Sequence, residues 1–251
     1  IMRIAITGGL LVDPKTGTEE KQNVYVNNGV VESIGKNPNG QGEKIKNINA
    51  KGFIVCPGLV DLRARMREPG HEHKATLASE TRAAALAGIT SLCMPPDCIP
   101  AIDTPAIAQM IQQRAHELDR TQIYPIAALT HGLAGETLTD MKALVDAGCI
   151  GVSNALTPLK NTLVMRRALQ YASTFDVLVF MFPQNASLRG NGVAHEGRVS
   201  TRLGLPASPV AAEIVGLARD LALVETTGAR AHFCGISSAR AIEMISEARL
   251  R

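Results

Sequence analysis

Three arginines stand at alternate positions, Arg63, Arg65 and Arg67, just after an apolar run near the amino terminus. Residues two apart share one face of an extended strand, so their guanidinium groups can converge. Three guanidinium groups near a strand end could hold a phosphate or a carboxylate. The alternative is internal pairing with Glu68, Asp97 or an acidic residue of a partner chain. We favour pairing, because buried arginines normally have an acidic partner.

Histidines and cysteines form no complete metal site in the sequence. His71 and His73, and likewise His232 and Cys234, have the spacing of two ligands on one face. Zinc needs three or four ligands, and neither pair has a third member nearby. No pairing of a serine, a histidine and an aspartate is supported by the sequence alone. The five cysteines include no CxxC, which predicts reduced thiols in a cytoplasmic protein.

Composition narrows the class of protein. The chain has 251 residues, 45% hydrophobic and 20% charged, which is typical of a globular protein with a sizeable core. A net charge of +3 is too small to indicate a nucleic-acid partner. The longest apolar run, residues 177–182, is far too short to span a bilayer, so no membrane partner is expected either.

Two kinds of pattern position these residues. Residues 2–53 alternate short apolar runs with turns, and Asn27-Asn28-Gly29 between two such runs predicts a hairpin. We interpret this segment as a small antiparallel sheet with a polar loop at Lys36–Lys44. From residue 54 the pattern becomes strand, loop and helix, repeated about six times, which predicts an α/β fold.

The predicted strands are Ile54–Asp61, Thr90–Met94, Ile123–Leu129, Ile150–Ser153, Val177–Phe182 and Ala231–Cys234. The predicted helices are Ser79–Ala87, 105–118, Leu138–Ala147, Thr162–Thr174, Pro209–Thr227 and Ser238–Leu250. An open doubly wound sheet and a barrel both fit this order. No glycine-rich nucleotide fingerprint follows any strand, which favours the barrel, whose chemistry lies at the carboxyl ends of the strands.

The segment from Pro57 to Gly70 reads PGLVDLRARMREPG and resembles the PGLVDxHxHxREPG segment of the dihydroorotase group of the amidohydrolase superfamily. The likeness continues in order along the chain, for example at 93–95, 165–169, 196–197, 202–206 and 212–214. It implies a (β/α)8-type amidohydrolase barrel beside a small β-sandwich whose strands come from both termini. With about six units, the barrel over 54–251 is expected to be incomplete at its C-terminus, and open or closed by another chain.

The resemblance also implies which positions hold the catalytic metal in active members, where zinc makes hydroxide and polarises the scissile carbonyl. The metal-ligand positions correspond to Arg63, Arg65, Asn154, Phe182 and Gly235. An asparagine that binds substrate corresponds to Pro96, whereas Arg67 keeps the residue that grips the substrate carboxylate. Arginine offers no lone pair, and a guanidinium about 4 Å from a cation costs roughly 4 kcal/mol per unit-charge pair at an effective dielectric constant of about 20.

These substitutions predict no catalytic residues and no metal. The resemblance implies a non-catalytic dihydroorotase-like protein of pyrimidine biosynthesis, in a homo- or hetero-oligomer with the aspartate carbamoyltransferase catalytic subunit. One alternative is an active metal-dependent dihydroorotase, which interconverts dihydroorotate and carbamoyl aspartate. A third hypothesis is a small-anion sensor built on Arg63, Arg65 and Arg67.

Overall fold

The computed structural model describes residues 3–38 and 45–250, which form two compact units divided between Leu59 and Val60. The sequence placed the boundary earlier, after residue 53. Most of the predicted polar loop at Lys36–Lys44, namely residues 39–44, lies outside the described residues. Met2, where the first predicted domain begins, and Arg251, where the second ends, also lie outside the described residues.

The first unit consists of short strands in two sheets. Their bounds are β1 (Arg3–Thr7), β2 (Leu10–Asp13), β3 (Thr18–Lys21), β4 (Val24–Asn27), β5 (Val30–Ile34), β6 (Ile45–Asn49) and β7 (Ile54–Val55). One sheet has the order β5-β4-β1-β6 and the other β3-β2-β7. The predicted hairpin joins β4 to β5, and Asn28 and Gly29 take φ of 49° and 80°, as a two-residue turn between twisted strands requires.

The prediction of an antiparallel sheet is wrong for two of the pairings. β1 pairs with β6 in parallel, and β2 pairs with β7 in parallel. A parallel pair needs a connection that crosses over the sheet. In each case other strands intervene in the sequence, and the later strand, β6 or β7, joins the outer edge of its sheet. Local turn signals indicate where strands begin and end, but they do not show which edge a later strand will join.

The second unit repeats strand and helix. Its strands are β8 (Leu59–Asp61), β9 (Ile89–Met94), β10 (Gln122–Pro125), β11 (Ala127–Ala128), β12 (Val152–Ser153), β13 (Val179–Met181), β14 (Ala194–His195), β15 (Ala207–Ser208) and β16 (Ala231–Phe233). Its helices are α1 (Leu77–Leu86), α2 (Pro105–Leu118), α3 (Met141–Asp146), α4 (Thr162–Thr174), α5 (Ala186–Arg189), α6 (Arg198–Leu203), α7 (Val210–Thr227) and α8 (Ala239–Ala248).

The barrel strands run β8-β9-β10 and β11-β12-β13-β16, and the pairs β9–β10, β11–β12, β12–β13 and β13–β16 are parallel. Only Ile126 separates β10 from β11, and its N–H donates to the Met94 carbonyl at 2.8 Å, so the two sheets are continuous there. Each of the six predicted units therefore supplies a strand in sequence order, which is the expected arrangement for a parallel α/β sheet.

The predicted strand Ile54–Asp61 is in fact two strands. Ile54–Val55 pairs with Leu10–Leu11 in the first unit, whereas Leu59–Asp61 lies beside β9. Pro57 and Gly58 stand between them, and proline lacks the N–H that a continuous ladder would use. Four short elements between residues 186 and 208, α5, β14, α6 and β15, are absent from the sequence prediction because each is shorter than a periodic pattern can reveal.

The core of the second unit lies between the strands and the helices packed on them. The side chains that anchor it are almost fully buried, among them Leu92, Met94, Ile111, Leu129, Leu144, Val152, Leu169 and Val179. Strands buried on both faces are nearly continuous apolar runs, as the sequence shows. This packing fixes where each strand ends. Within the described part of the chain, no helix is long and apolar enough to cross a membrane.

Candidate functional site

The arginine segment begins where β8 ends. The carboxylate of Asp61 accepts the backbone N–H of Arg63 at 2.8 Å, which turns the chain out of the strand. Arg65 is half-buried, and its Nε and Nη2 donate to Oδ2 of Asp97 at 2.8 and 2.6 Å. The predicted pairing of an arginine with Asp97 therefore holds for Arg65. Arg63 is exposed, and its guanidinium has no acidic partner in the described part of the chain.

Arg67 is separated from the other two arginines by the backbone. Its φ of 65° lies in the left-handed region, so the alternation expected of a strand ends before it. Glu68, the other acid considered, accepts the backbone N–H of Leu77 at 2.7 Å and lies 4.0 Å from Arg114. It pairs with none of the three arginines. The expectation that the three guanidinium groups share one strand face is therefore wrong, because β8 already ends at Asp61.

Arg63 and Arg65 line a small cavity at the ends of the strands, and Arg67 does not. The other lining residues are largely apolar, namely Leu62, Pro95, Ile126, Ser153, Ala155, Leu156, Phe180, Met181, Phe182 and Cys234. The cavity has a volume of about 20 Å³, room for about one water molecule. Binding pockets for small molecules usually measure roughly 300–1,000 Å³. Neither a cyclic amide nor a phosphate fits in this space.

Asn154, at the position that the resemblance assigns to an acidic bridging ligand, is committed to the backbone around it. It is 6% exposed. Its Oδ1 accepts from the Thr130 hydroxyl at 2.7 Å, and its Nδ2 donates to the carbonyls of Leu133 and Thr157 at 3.2 and 3.0 Å. These bonds orient the amide to hold two loops together. A neutral amide used in this way has no charge to offer a metal ion.

Phe182 and Gly235, at two further ligand positions, fit against each other. A Cβ added to Gly235 would lie 2.7 Å from Cε2 of Phe182, closer than real Cβ contacts come. The phenyl ring therefore occupies the space beside Gly235 that a larger side chain would need. Gly235 also has a φ of 68°, which favours glycine. Neither side chain offers a lone pair to a metal ion.

Together these residues do not suit a divalent metal. The five positions hold two guanidinium groups, an amide, a phenyl ring and a glycine, and Pro96 stands at the substrate asparagine position. Zinc takes histidine nitrogen, cysteine thiolate or carboxylate ligands. Within residues 3–38 and 45–250, no three histidine, cysteine, aspartate or glutamate side chains are grouped so that they could hold a metal ion. No catalytic step can be assigned to a metal here.

The two histidine pairs considered from the sequence are not brought to a third ligand. The rings of His71 and His73 meet edge to face at 6.0 Å between centroids. His232 packs on Phe180 with ring centroids 5.3 Å apart, and Cys234 lines the small cavity. Burial raises the pKa of the Cys234 thiol, and nearby Arg63 lowers it by less. A thiol shifted in this direction is less available as a thiolate ligand.

A polar cluster that sequence reasoning missed lies at the far side of Phe182. Glu213, in the first turn of α7, is 8% exposed and accepts the backbone N–H groups and hydroxyls of Ser237 and Ser238 at 2.5–3.3 Å. The pKa of Glu213 lies below its usual value. Burial raises this pKa, but the backbone and hydroxyl hydrogen bonds from the two serines together lower it by more. His195 Nε2 lies 3.1 Å from Ser237 Oγ. A glutamate among the apolar residues of α7 was the one signal in the sequence.

Comparison with known proteins is consistent along the whole chain. Residues 52–241 match the family model described as dihydro-orotase-like. A dihydroorotase-like protein of Pseudomonas putida is 45% identical over 99% of this chain and 58% of its own length, and one of Pseudomonas aeruginosa is 43% identical over 100% and 59%. A protein named dihydroorotase from Syntrophus aciditrophicus is 37% identical over 100% of this chain and 59% of its own length.

Solved structures support the fold. The L-hydantoinase of Arthrobacter aurescens aligns over 100% of this chain and 56% of its own, with a TM-score of 0.81 at 16% identity. At that identity the likeness shows the fold alone, and it confirms the predicted amidohydrolase barrel. The chain spans somewhat more than half the length of the relatives it matches. From the family model and the identities, this chain belongs to the dihydroorotase-like family.

Proposed function

We propose that this chain belongs to a non-catalytic dihydroorotase-like protein that supports the assembly of aspartate carbamoyltransferase. The non-catalytic assignment rests on the contact of Phe182 with Gly235, since two metal-ligand positions of the family are here a phenyl ring and the glycine that it packs against. The site has lost its ligands and also the volume that a substrate needs, since the remaining cavity has about 20 Å³.

The retained parts support a scaffold role. Arg65 is neutralised by Asp97, and Asn154 bonds three neighbouring loop residues, so former site positions now hold the ends of the strands together. Residues that stabilise the loops where a substrate would enter favour rigidity over turnover. The assembly partner follows from the family resemblance, in which companion chains without a metal centre serve the transferase. The five free cysteines support a reducing, cytoplasmic location.

The experiment uses the full-length natural protein, purified after incubation with zinc and then freed of excess metal. We expect less than stoichiometric zinc by metal analysis and no turnover of dihydroorotate or carbamoyl aspartate. Size-exclusion chromatography with the aspartate carbamoyltransferase catalytic chain of the same source should give a joint peak. A matched sample of an active dihydroorotase, treated in the same way, provides the positive control for zinc and turnover.

The two halves of the proposal fail separately. Stoichiometric zinc together with turnover would establish the alternative, an active metal-dependent dihydroorotase. The relative from Syntrophus aciditrophicus, which is named dihydroorotase, is the observation that favours this alternative. A protein that lacks zinc and turnover but migrates apart from the transferase, with the transferase assembling equally well without it, would remove the scaffold role. The non-catalytic assignment would then stand alone.

A further inference from the structure

A second cleft shares Phe182 with the small cavity, and it is far larger. Its volume is about 260 Å³, and it is lined by Phe182, Pro183, Gln184, Arg189, Gly192, Val193, Ala194, His195, Ser208, Glu213, Gly235 and Ser237. The residues that close the small cavity therefore form one wall of this cleft. A volume of this size suits an acid of a few non-hydrogen atoms, since larger ligands occupy roughly 300 Å³ or more.

The hydrogen bonds of the cluster determine where its protons lie. Glu213 has a lowered pKa and is therefore an ionised acceptor. Ser237 Oγ lies 2.5 Å from Glu213 Oε2, so the single hydroxyl proton of Ser237 must point to the carboxylate. The contact of 3.1 Å between Ser237 Oγ and His195 Nε2 then needs its proton from the imidazole. The chain Glu213–Ser237–His195 thus places a proton on His195 Nε2, which in the neutral ring is the Nε2–H tautomer.

That tautomer leaves His195 Nδ1 with a lone pair. Among the described residues, Nδ1 has no hydrogen-bond partner, and the ring is exposed on the cleft. This orientation differs from a serine hydrolase, in which the histidine accepts the serine proton and the acid contacts the histidine. Here the serine donates to the acid, so Ser237 is a positioning residue and has no nucleophilic role.

A cation completes the cleft. Arg189 is half-buried at the end of α5, and its guanidinium has no acidic or hydrogen-bonding partner within the part of the chain that is described. An unpaired guanidinium favours a carboxylate, which it can bind through two parallel N–H donors. Glu213, the only carboxylate that lines the cleft among residues 3–38 and 45–250, is already satisfied by the two serines.

We propose that this cleft binds a small carboxylate whose neighbouring hydroxyl or amino group donates to His195 Nδ1 while its carboxylate pairs with Arg189. The Glu213–Ser237 pair positions the histidine for this contact. The inference is independent of the proposed function, because it involves none of the metal-ligand positions except as apolar wall. A metal or assembly test can fail without affecting it.

The tautomer is tested first, by long-range proton–nitrogen NMR of the imidazole of His195 in the 251-residue chain at a pH where the ring is neutral. We expect the pattern of an Nε2-protonated ring. Ser237→Ala should shift it toward a mixture, because the acceptor of the Nε2 proton is lost. Ser208 is the backbone partner of His195 in the β14–β15 pair, but its hydroxyl makes no hydrogen bond to the imidazole, so Ser208→Ala should leave the pattern unchanged. An Nδ1-protonated ring in the unmodified chain overturns the proposal.

The ligand is tested with glycolate, which carries a hydroxyl beside its carboxylate, and with acetate, which lacks the hydroxyl. Glycolate should perturb the His195 ring resonances in a saturable manner, and acetate should bind more weakly. Arg189→Gln should weaken glycolate binding about tenfold or more, because a charge-assisted pair is lost. Arg202→Gln changes an exposed arginine outside the cleft and should have no effect. Unperturbed resonances with glycolate, equal affinity for acetate, or unchanged affinity in Arg189→Gln would each refute the proposal.

Discussion

Phe182 and Gly235 show how two residues that lack polar groups can close a site. The ring fills the space beside a backbone that only glycine adopts easily, with a φ of 68° and no room for a Cβ. The effect is steric and independent of the charges on Arg63 and Arg65. Each feature excludes a metal ion for its own reason, so reversing one of them does not restore the site.

The contact between these two residues makes Gly235→Ala a severe substitution. We expect a loss of about 1–2 kcal/mol from the left-handed backbone and about 1–3 kcal/mol more from the collision with Phe182. Gly204→Ala is the matched control, because Gly204 has a similar φ of 63° with nothing within 4 Å. Urea unfolding of both variants measures the difference. Equal losses in the two variants would show that the ring moves aside at no cost.

Asp220 is a second residue whose burial has a measurable consequence. It is fully buried on α7, Arg219 donates to its Oδ1 at 2.8 Å, and its Oδ2 has no partner among the described residues. Burial raises the pKa of this carboxyl from 3.8 to about 6, although Arg219 opposes the rise. The folded state therefore favours the protonated form of Asp220 relative to the unfolded state.

The sign of the pH dependence follows from that shift. The contribution of Asp220 to stability is fully present below the unfolded pKa near 3.8 and is lost as the pH rises through about 6. We expect the free energy of unfolding of Asp220→Asn, relative to the unchanged chain, to rise by about 2–3 kcal/mol between pH 4 and pH 7. Urea titrations at several pH values measure it. Asp146→Asn, on an exposed side chain, is the control, and parallel profiles for Asp220→Asn would contradict the shift.

At the scale of elements, the loops between strand and helix decide which side chains meet. The N-caps show how local sequence fixes these loops: Asn161 begins α4 by accepting the N–H groups of Leu163 and Val164 at 2.9 and 3.4 Å. Such caps orient the helix relative to the strand before it. The sequence predicted helix α4 with the bounds that the structure has, Thr162–Thr174.

The cap of α4 can be compared with a cap that makes no side-chain bond. Asn161→Ala should lower the free energy of unfolding by about 1 kcal/mol, because two backbone N–H groups lose their acceptor. Thr104 occupies the same position before α2 without a side-chain hydrogen bond, so Thr104→Ala should cost much less. Urea unfolding of the two variants gives the comparison. A larger loss in Thr104→Ala would contradict this view of the caps.

The short elements between residues 186 and 208 mark the limit of pattern reading at this scale. They bring His195 to Ser237 across 42 positions of sequence, while α7 brings Glu213 to the same serine across 24. Periodicity carries no information about such distances, because it describes only neighbours within one element. Periodicity therefore did not reveal the cluster, and Glu213 among the apolar residues of α7 was its one signal in the sequence.

At the scale of the whole molecule, the second unit presents two outermost barrel strands, β8 and β16, in the described sheets. Val60 and Leu62 near β8 are 59% and 49% exposed. The unpaired backbone N–H and C=O groups of an edge strand are a template for pairing with another chain, and exposed apolar side chains beside them favour that pairing. That the barrel is open or closed by another chain stays a prediction from the sequence.

The exposed edge predicts self-association of the 251-residue chain. Val60→Lys should reduce it with little change in unfolding free energy, because a charge at an edge strand opposes pairing. Val215→Lys places the same charge on the exposed face of α7, where Val215 is 47% exposed, and should leave association unchanged. Sedimentation velocity over a range of concentrations separates the two variants. Equal association of Val60→Lys and the unchanged chain would show that this edge is not used.

The amino-acid sequence by itself determined the class of fold, and it predicted that the family's metal-ligand positions hold no metal ligands in this chain. Parallel strands are continuous apolar runs, and guanidinium or phenyl groups cannot coordinate a metal wherever they lie. Only the tertiary structure decided that Asp97 neutralises Arg65, that Phe182 fills the space beside Gly235, and that Glu213 and Ser237 orient His195. Those outcomes depend on contacts between residues far apart in sequence, which packing determines and composition or spacing does not record.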